Sequence, residues 1–190
     1  MDGQRKVRER EQMERILIVI DMQNDFITGA LGTEEARSVL PRVLAYVKRW
    51  TAERQGEIYF TRDTHHGDYL ETQEGRKLPV AHCLEGSDGW QICPELAEYA
   101  EDCPVFDKPT FGCQDLAEYL QESGEEPEEI VLVGVCTDIC VISNALLLKA
   151  FFPETRITVA ADCCAGVTPE SHERALAAME ACQVHVVRGE

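Results

Sequence analysis

The chain of 190 residues has no long apolar run; its first is Ile16 to Ile20, preceded by a mixed-charge stretch from Met1 to Arg15. A spanning helix needs about 20 consecutive apolar residues, and a secretory leader needs an apolar core of roughly 7 to 15 behind a basic start. Residues 1–15 fit neither pattern, so they are expected to be an N-terminal extension, and the expected location is the cytoplasm. Positive charge is also scarce, with 18 Lys and Arg against 35 Asp and Glu, a formal net charge of −17. That balance repels nucleic acid and anionic membrane surfaces, and no basic stripe with interleaved aromatics offsets it. No zinc-finger pattern appears either: Cys136 and Cys140 are four apart, and the adjacent Cys163 and Cys164 cannot easily face one ligand site. There is no internal repeat, low-complexity tract or Gly/Ser linker. Residues 16–190 are therefore expected to form one domain, in which folding removes about 70% of the unfolded chain's surface from water.

Nine cysteines are present, an odd number in a chain with no export signal, so the thiols are expected to be reduced. Most read as small apolar filler. Glu122, Glu125, Glu126, Glu128 and Glu129 bracket Gly124 and Pro127, the composition of a solvated connection.

Short apolar runs rich in β-branched residues recur at Ile16 to Ile20, Glu57 to Thr61, Cys103 to Phe106, Ile130 to Val135, Arg156 to Ala160 and Val184 to Val187. Helical patterns separate most of them: Leu40 to Arg54, Gln114 to Gln121, Thr137 to Ala150 and Glu170 to Cys182, the last behind a Thr168–Pro169 cap. Such alternation predicts a mainly parallel six-stranded sheet with helices on both faces, a Rossmann-like three-layer α/β/α sandwich. The exception is Asp63 to Cys93, which has little periodicity and three of the five histidines. Long irregular stretches in compact domains are usually functional.

In an open parallel sheet, ligands gather beyond the carboxyl ends of the strands, near the point where strand order reverses. The residues at those ends are Asp21, then Asp63 and His65, then Lys108, then Cys140. With Thr137 as N-cap, Cys140 is the third residue of its helix, close to unpaired N–H groups that favour a thiolate and can stabilise an oxyanion. Asp21, Lys108 and Cys140 supply a carboxylate base, a cation and a thiol nucleophile, the parts of a thiol-dependent hydrolase. Asp63, His65, Glu74 and His82 combine imidazole with carboxylate, which suits a divalent transition metal such as zinc, iron or manganese. His66, His172 and His185 read as ordinary.

With these motifs the chain resembles the isochorismatase-like cysteine hydrolase superfamily, and within it the nicotinamidases. The resemblance runs from Ile16 to Val187 and is carried by Ile18-Val19-Ile20-Asp21-Met22-Gln23-Asn24-Asp25-Phe26, Thr61-Arg62-Asp63-Thr64-His65, Leu78-Pro79-Val80-Ala81-His82-Cys83, Lys108-Pro109-Thr110-Phe111 and Gly134-Val135-Cys136-Thr137-Asp138-Ile139-Cys140-Val141. It implies a catalytic triad of Asp21, Lys108 and Cys140, a cis peptide before Cys136, and an oxyanion hole from the N–H groups of Cys136 and Cys140. It also implies a bound divalent metal with Asp63, His65 and His82 as its ligands, Glu74 aligning to a carboxylate found in some members, and zinc as the expected ion. Phe26 and Phe111 match the aromatics that sandwich the substrate ring. The segment departs from the common pattern at Thr64, where many nicotinamidases carry tryptophan, and after Lys108.

The expected activity is hydrolysis of nicotinamide to nicotinate and ammonia through a thioester, in NAD salvage. The expected partner is that small amide, with neither nucleic acid nor membrane, and the resemblance implies a homo-oligomer. Two other readings stand beside it: a related cysteine hydrolase of another small amide, ureido or carbamoyl compound, and a metal- and thiol-based redox-sensing module without turnover.

Overall fold

A computed structural model describes residues 15–124 and 126–189. The expected N-terminal extension, except for Arg15, and Glu125 of the acidic connection lie outside the described residues. The strands β1 (Arg15–Ile20), β2 (Glu57–Asp63), β3 (Val105–Lys108), β4 (Glu129–Val135), β5 (Arg156–Ala165) and β6 (His185–Val187) form one sheet in the order β3-β2-β1-β4-β5-β6, with every pairing parallel. Among the described residues seven α-helices accompany them: α1 (Asn24–Ile27), α2 (Glu34–Glu53), α3 (Gln73–Lys77), α4 (Pro94–Glu101), α5 (Gln114–Glu122), α6 (Ile142–Phe151) and α7 (Pro169–Ala181).

The two-residue period of the strands sorts their side chains into two cores. Leu17 and Val19 of β1, with Val131 and Val133 of β4, pack against Val43, Val47 and Trp50 of α2. Ile16, Ile18 and Ile20, with Ile130 and Leu132, pack against Leu116 of α5, Leu148 of α6 and Leu176 of α7. Helices therefore cover both faces, and the sheet is the middle layer of a three-layer sandwich. Cys163 and Cys164 fall into opposite cores, as neighbouring residues of a strand must.

The helix expected from Leu40 begins earlier, at Glu34. The side chain of Thr33 accepts a hydrogen bond from the Ala36 N–H at 3.0 Å, and Glu34 and Glu35 face the positive helix end. This start, and burial of Ala36 and Val39, outweigh the donor missing at Pro41. The third strand is shifted from Cys103–Phe106 to Val105–Lys108, so that Lys108 is a strand residue. Pro94–Glu101 forms a helix that is not among the expected ones; Pro94 opens it and Leu96 is its buried residue.

The cap at α7 forms as expected. Thr168 accepts from the Ser171 N–H at 3.1 Å, and Ser171 answers onto the Thr168 N–H at 3.1 Å. Thr168→Ala should lower unfolding free energy by about 1 kcal/mol, the usual worth of such a cap. Urea unfolding checks this, and an unchanged midpoint would show the cap to be idle. Among the described residues, no helix is long and apolar enough to cross a membrane.

Candidate active site

Strand order reverses between β1 and β4, and β4 reaches its end there with Gly134 at φ +116°. A Cβ at Gly134 would collide with the Ile20 carbonyl oxygen, so only glycine lets the two strands end this close together. Asp21 follows β1 in the left-handed region, φ 48°, a conformation that aspartate tolerates better than bulkier residues. Thr61 fixes it: the Thr61 hydroxyl donates to Asp21 Oδ1 at 2.7 Å.

Lys108, only 1% exposed, is the hub of the strand ends. Its Nζ lies 2.8 Å from Asp21 Oδ2, 3.2 Å from Asp63 Oδ1 and 3.4 Å from Cys140 Sγ. Asp21, Lys108 and Cys140 are thus brought together, and Asp63 joins them through the same ammonium. Burial raises the Asp21 carboxyl above its ordinary value, with Lys108 opposing. Burial would lower Lys108, but Asp21, Cys140 and Asp63 outweigh it and hold the ammonium charged. Burial, and then the Asp21 carboxylate, push the Cys140 thiol well above its ordinary value, with Lys108 pulling the other way. The expectation of a thiolate favoured by the helix start is therefore corrected. A helix dipole contributes about 1 kcal/mol at a partly exposed site, less than complete burial beside a carboxylate costs an anion. The resting group is a thiol, kept protonated by its burial beside Asp21.

The local structure around Cys140 also differs from the expected cap. Thr137 to Val141 form a π turn flanked by Cys136, and the Val141 N–H reaches back five residues to the Cys136 carbonyl at 3.0 Å. Thr137 does not cap it, because its hydroxyl is engaged with His172 Nδ1 at 2.8 Å. The Val135–Cys136 peptide is cis.

The irregular segment after β2 carries a second cluster. Asp63, His65, Glu74 and His82 place one donor atom each within 4.8 Å of one another. His65 Nε2 is buried 3.0 Å from Asp63 Oδ2 and 3.7 Å from Glu74 Oε1, without the alignment of a hydrogen bond. His82 Nε2 stands 3.4 Å from the same Asp63 oxygen and 3.9 Å from the same Glu74 oxygen. The other His82 nitrogen, Nδ1, lies 2.8 Å from the Val80 carbonyl; donation there leaves Nε2 as the lone-pair side. Two imidazole nitrogens and two carboxylates converging on one point, one of them an orphaned buried atom, fit a divalent cation. Burial works against the Asp63 charge, yet the adjoining His65 and His82 rings and the Lys108 ammonium hold its carboxyl well below the usual range.

Both clusters open onto one cavity of about 400 Å³, a usual size for a small-molecule site. Asp63, Glu74 and His82 line one part, and Cys136 and Cys140 line another, with Phe26 and Phe111 also on its surface. Phe26 is buried, its ring 5.8 Å from that of His82, whereas Phe111 is 41% exposed.

A match to the isochorismatase domain spans residues 15–190. The chain belongs to the isochorismatase family. It is 28% identical over 196 aligned residues to a nicotinamidase of Escherichia coli, with 87% of this chain and 90% of that protein covered. It is similar to the solved structure of a nicotinamidase/pyrazinamidase from Bacillus subtilis, at 26% identity and a TM-score of 0.80 over 92% of this chain and 100% of that one. It is also similar to a pyrazinamidase of Pyrococcus horikoshii solved in complex with zinc, at 28% identity and a TM-score of 0.77 over 93% and 99% of the two chains.

In this isochorismatase-family chain several supporting residues escape a reading of the sequence. Gln23 grips the backbone of Asp63 from both sides: its Oε1 accepts the Asp63 N–H at 2.7 Å, and its Nε2 donates to the Asp63 carbonyl at 2.9 Å. Asp25 accepts the Cys83 N–H at 2.7 Å, next to His82. Thr64, at the departure from the common tryptophan, accepts from Trp90 Nε1 at 2.8 Å, so an indole from elsewhere in the loop reaches that position. In the sequence Gln23 and Asp25 stand out as neighbours of Asp21 within the Ile18 to Phe26 motif, with no sign of these contacts. Of the histidines read as ordinary, His66 is exposed and lies 3.3 Å from Glu85, while His172 supports the π turn.

Proposed function

We propose that residues 16–190 act as a single cytoplasmic hydrolase domain that converts nicotinamide and water into nicotinate and ammonia, in NAD salvage. The observation that carries this reading is the Lys108 ammonium within 3.4 Å of Cys140 and bridging Asp21 to Asp63, which couples a thiol–carboxylate pair to a cation site on one cavity. Similarity to proteins named nicotinamidase supports the choice of amide, and a zinc-containing relative supports zinc ahead of iron or manganese.

Asp63, His65, His82 and Glu74 would hold the divalent ion, which when bound supplies a Lewis-acidic ligand position for the pyridine nitrogen, turning the carboxamide toward Cys140. Phe26 and Phe111 flank the ring. Asp21, with its raised pKa, takes the Cys140 proton as Sγ attacks the amide carbon, so that the thiolate need not exist beforehand. The N–H groups of Cys136 and Cys140 receive the developing oxyanion. As the tetrahedral adduct collapses, the C–N bond breaks and the Asp21 carboxyl gives its proton to the leaving nitrogen, releasing ammonia and leaving a thioester. Asp21 then takes a proton from water, whose oxygen attacks the thioester carbon. Nicotinate leaves and the thiol regains its proton. Lys108 keeps Asp21 oriented and offsets negative charge throughout.

Chelation tests the cation. With metal loss verified, KM for nicotinamide rises at least about tenfold, the loss of about 1.4 kcal/mol of binding, and zinc restores it; an unchanged KM removes the ion from substrate binding. The polar cavity residues Gln73 and Lys77 also offer partners to a ureido or carbamoyl compound. A panel of nicotinamide, benzamide and N-carbamoyl amino acids separates the readings: nicotinamide gives the highest kcat/KM, whereas preference for a carbamoyl compound would move the substrate class and leave the triad standing.

A further inference from the structure

Asn144 is the third residue of α6, one turn beyond Cys140, and is 1% exposed. Its amide is engaged on both sides. Nδ2 donates to the Cys140 carbonyl at 2.8 Å and to the Phe111 carbonyl at 3.0 Å, and Oδ1 accepts from the Cys113 N–H at 2.9 Å. These partners, two carbonyls on one side and an N–H on the other, also fix which end of the amide is nitrogen. One side chain therefore ties the nucleophile's own carbonyl to two points of the segment Pro109–Cys113.

That segment follows Lys108 and leads into α5, and it belongs to no helix or strand. It carries Thr110 and Phe111, which line the cavity with Cys140. With 41% of Phe111 exposed, burial alone does not place its ring. A buried amide holding the Phe111 carbonyl does constrain it, because releasing that bond would strand polar groups away from water. Gly112 adds to the seat: a Cβ there would stand 3.4 Å from Leu147 Cδ2 of α6, so the segment lies directly on that helix.

We propose that Asn144 is a positioning residue that fixes the Thr110–Phe111 wall of the cavity relative to Cys140 and so sets the site's affinity for the ring of an aromatic amide. The identity of that ligand rests on the functional reading above; the positioning does not. It acts through Phe111 and has no part in bond making.

The test has two arms. In the first, Asn144→Ala raises KM for nicotinamide about tenfold with kcat changed less than about threefold, Phe111→Ala does the same, and the double variant is no worse than either single one, as residues acting through one contact require. A KM unchanged in Asn144→Ala, or effects that multiply in the double variant, overturns the proposal. A role confined to stability would lower the melting temperature and leave KM alone. In the second arm, hydrogen exchange read by mass spectrometry speeds up at least about tenfold at residues 110–113 in Asn144→Ala, while the buried strand β4 keeps its protection. Unchanged exchange there overturns the positioning role, even in a protein that proves inert toward nicotinamide; the two readings thus fail separately. Should Asn144→Ala not fold, Asn144→Ser keeps a hydroxyl for the Cys140 carbonyl one turn back but is too short to hold the segment, and the same outcomes apply.

Discussion

Cys140→Ala lowers nicotinamide turnover by at least about a thousandfold, because members of a catalytic unit fail together once the nucleophile is gone. The residual rate reflects binding and the remaining polar groups. Only Sγ is removed, and the side chain is small, so the fold persists: the expected loss is about 1 kcal/mol, the centre of the range for point substitutions. Circular dichroism and urea unfolding verify that the inactive variant is folded. Metal content, measured alongside, stays at the wild-type level, since Cys140 is not one of the cation ligands and Lys108 stands between it and Asp63. Turnover near the wild-type rate in this variant would remove Cys140 from the mechanism.

Lys108→Met has a different signature, combining lost activity with lost stability. The lysine side chain is fully buried between Asp21 and Asp63, and methionine of similar length leaves both carboxylates without their cation. Breaking a buried pair in this way costs about 3–5 kcal/mol. Turnover falls at least about a hundredfold, within the range for loss of general acid–base function, because Asp21 without its cation takes up a proton and ceases to be a base. Burial already raises Asp21, and Lys108 is the group that opposes it. The variant's Asp21 therefore titrates at higher pH than the wild-type carboxyl. A carboxyl whose folded-state pKa is raised favours the folded state at low pH and loses that contribution as pH rises. The stability deficit of Lys108→Met accordingly narrows on acidification. Urea unfolding as a function of pH measures this, and a deficit that widens toward low pH, or no deficit, would contradict the assigned role.

The parts of this architecture that depend on local pattern are legible in the sequence. Runs such as Ile16 to Ile20 and Ile130 to Val135 announce buried parallel strands, and the residues that follow them announce the site, because chain direction forces every strand of a parallel sheet to end on one edge. Asp21, Asp63, Lys108 and Cys140 are found by that rule alone. What depends on contacts distant in sequence is not legible. Thr137 looks like a cap because nothing nearby competes for its hydroxyl, whereas His172 of α7 occupies it. Gln23 looks like one polar residue in a turn until β2 brings Asp63 against it. Asn144 sits in a nearly all-apolar helical stretch, and its partners Phe111 and Cys113 arrive from another connection. The protonation of Cys140 escapes for the same reason: sequence position gives the helix dipole, but burial and the Asp21 neighbour come only with the fold.

The most direct test of the central claim is ammonia release from nicotinamide by the zinc-loaded wild-type protein with its thiols reduced. The account predicts steady, stoichiometric release of ammonia and nicotinate that iodoacetamide labelling of Cys140 abolishes. No release, with metal bound and Cys140 free, would contradict it.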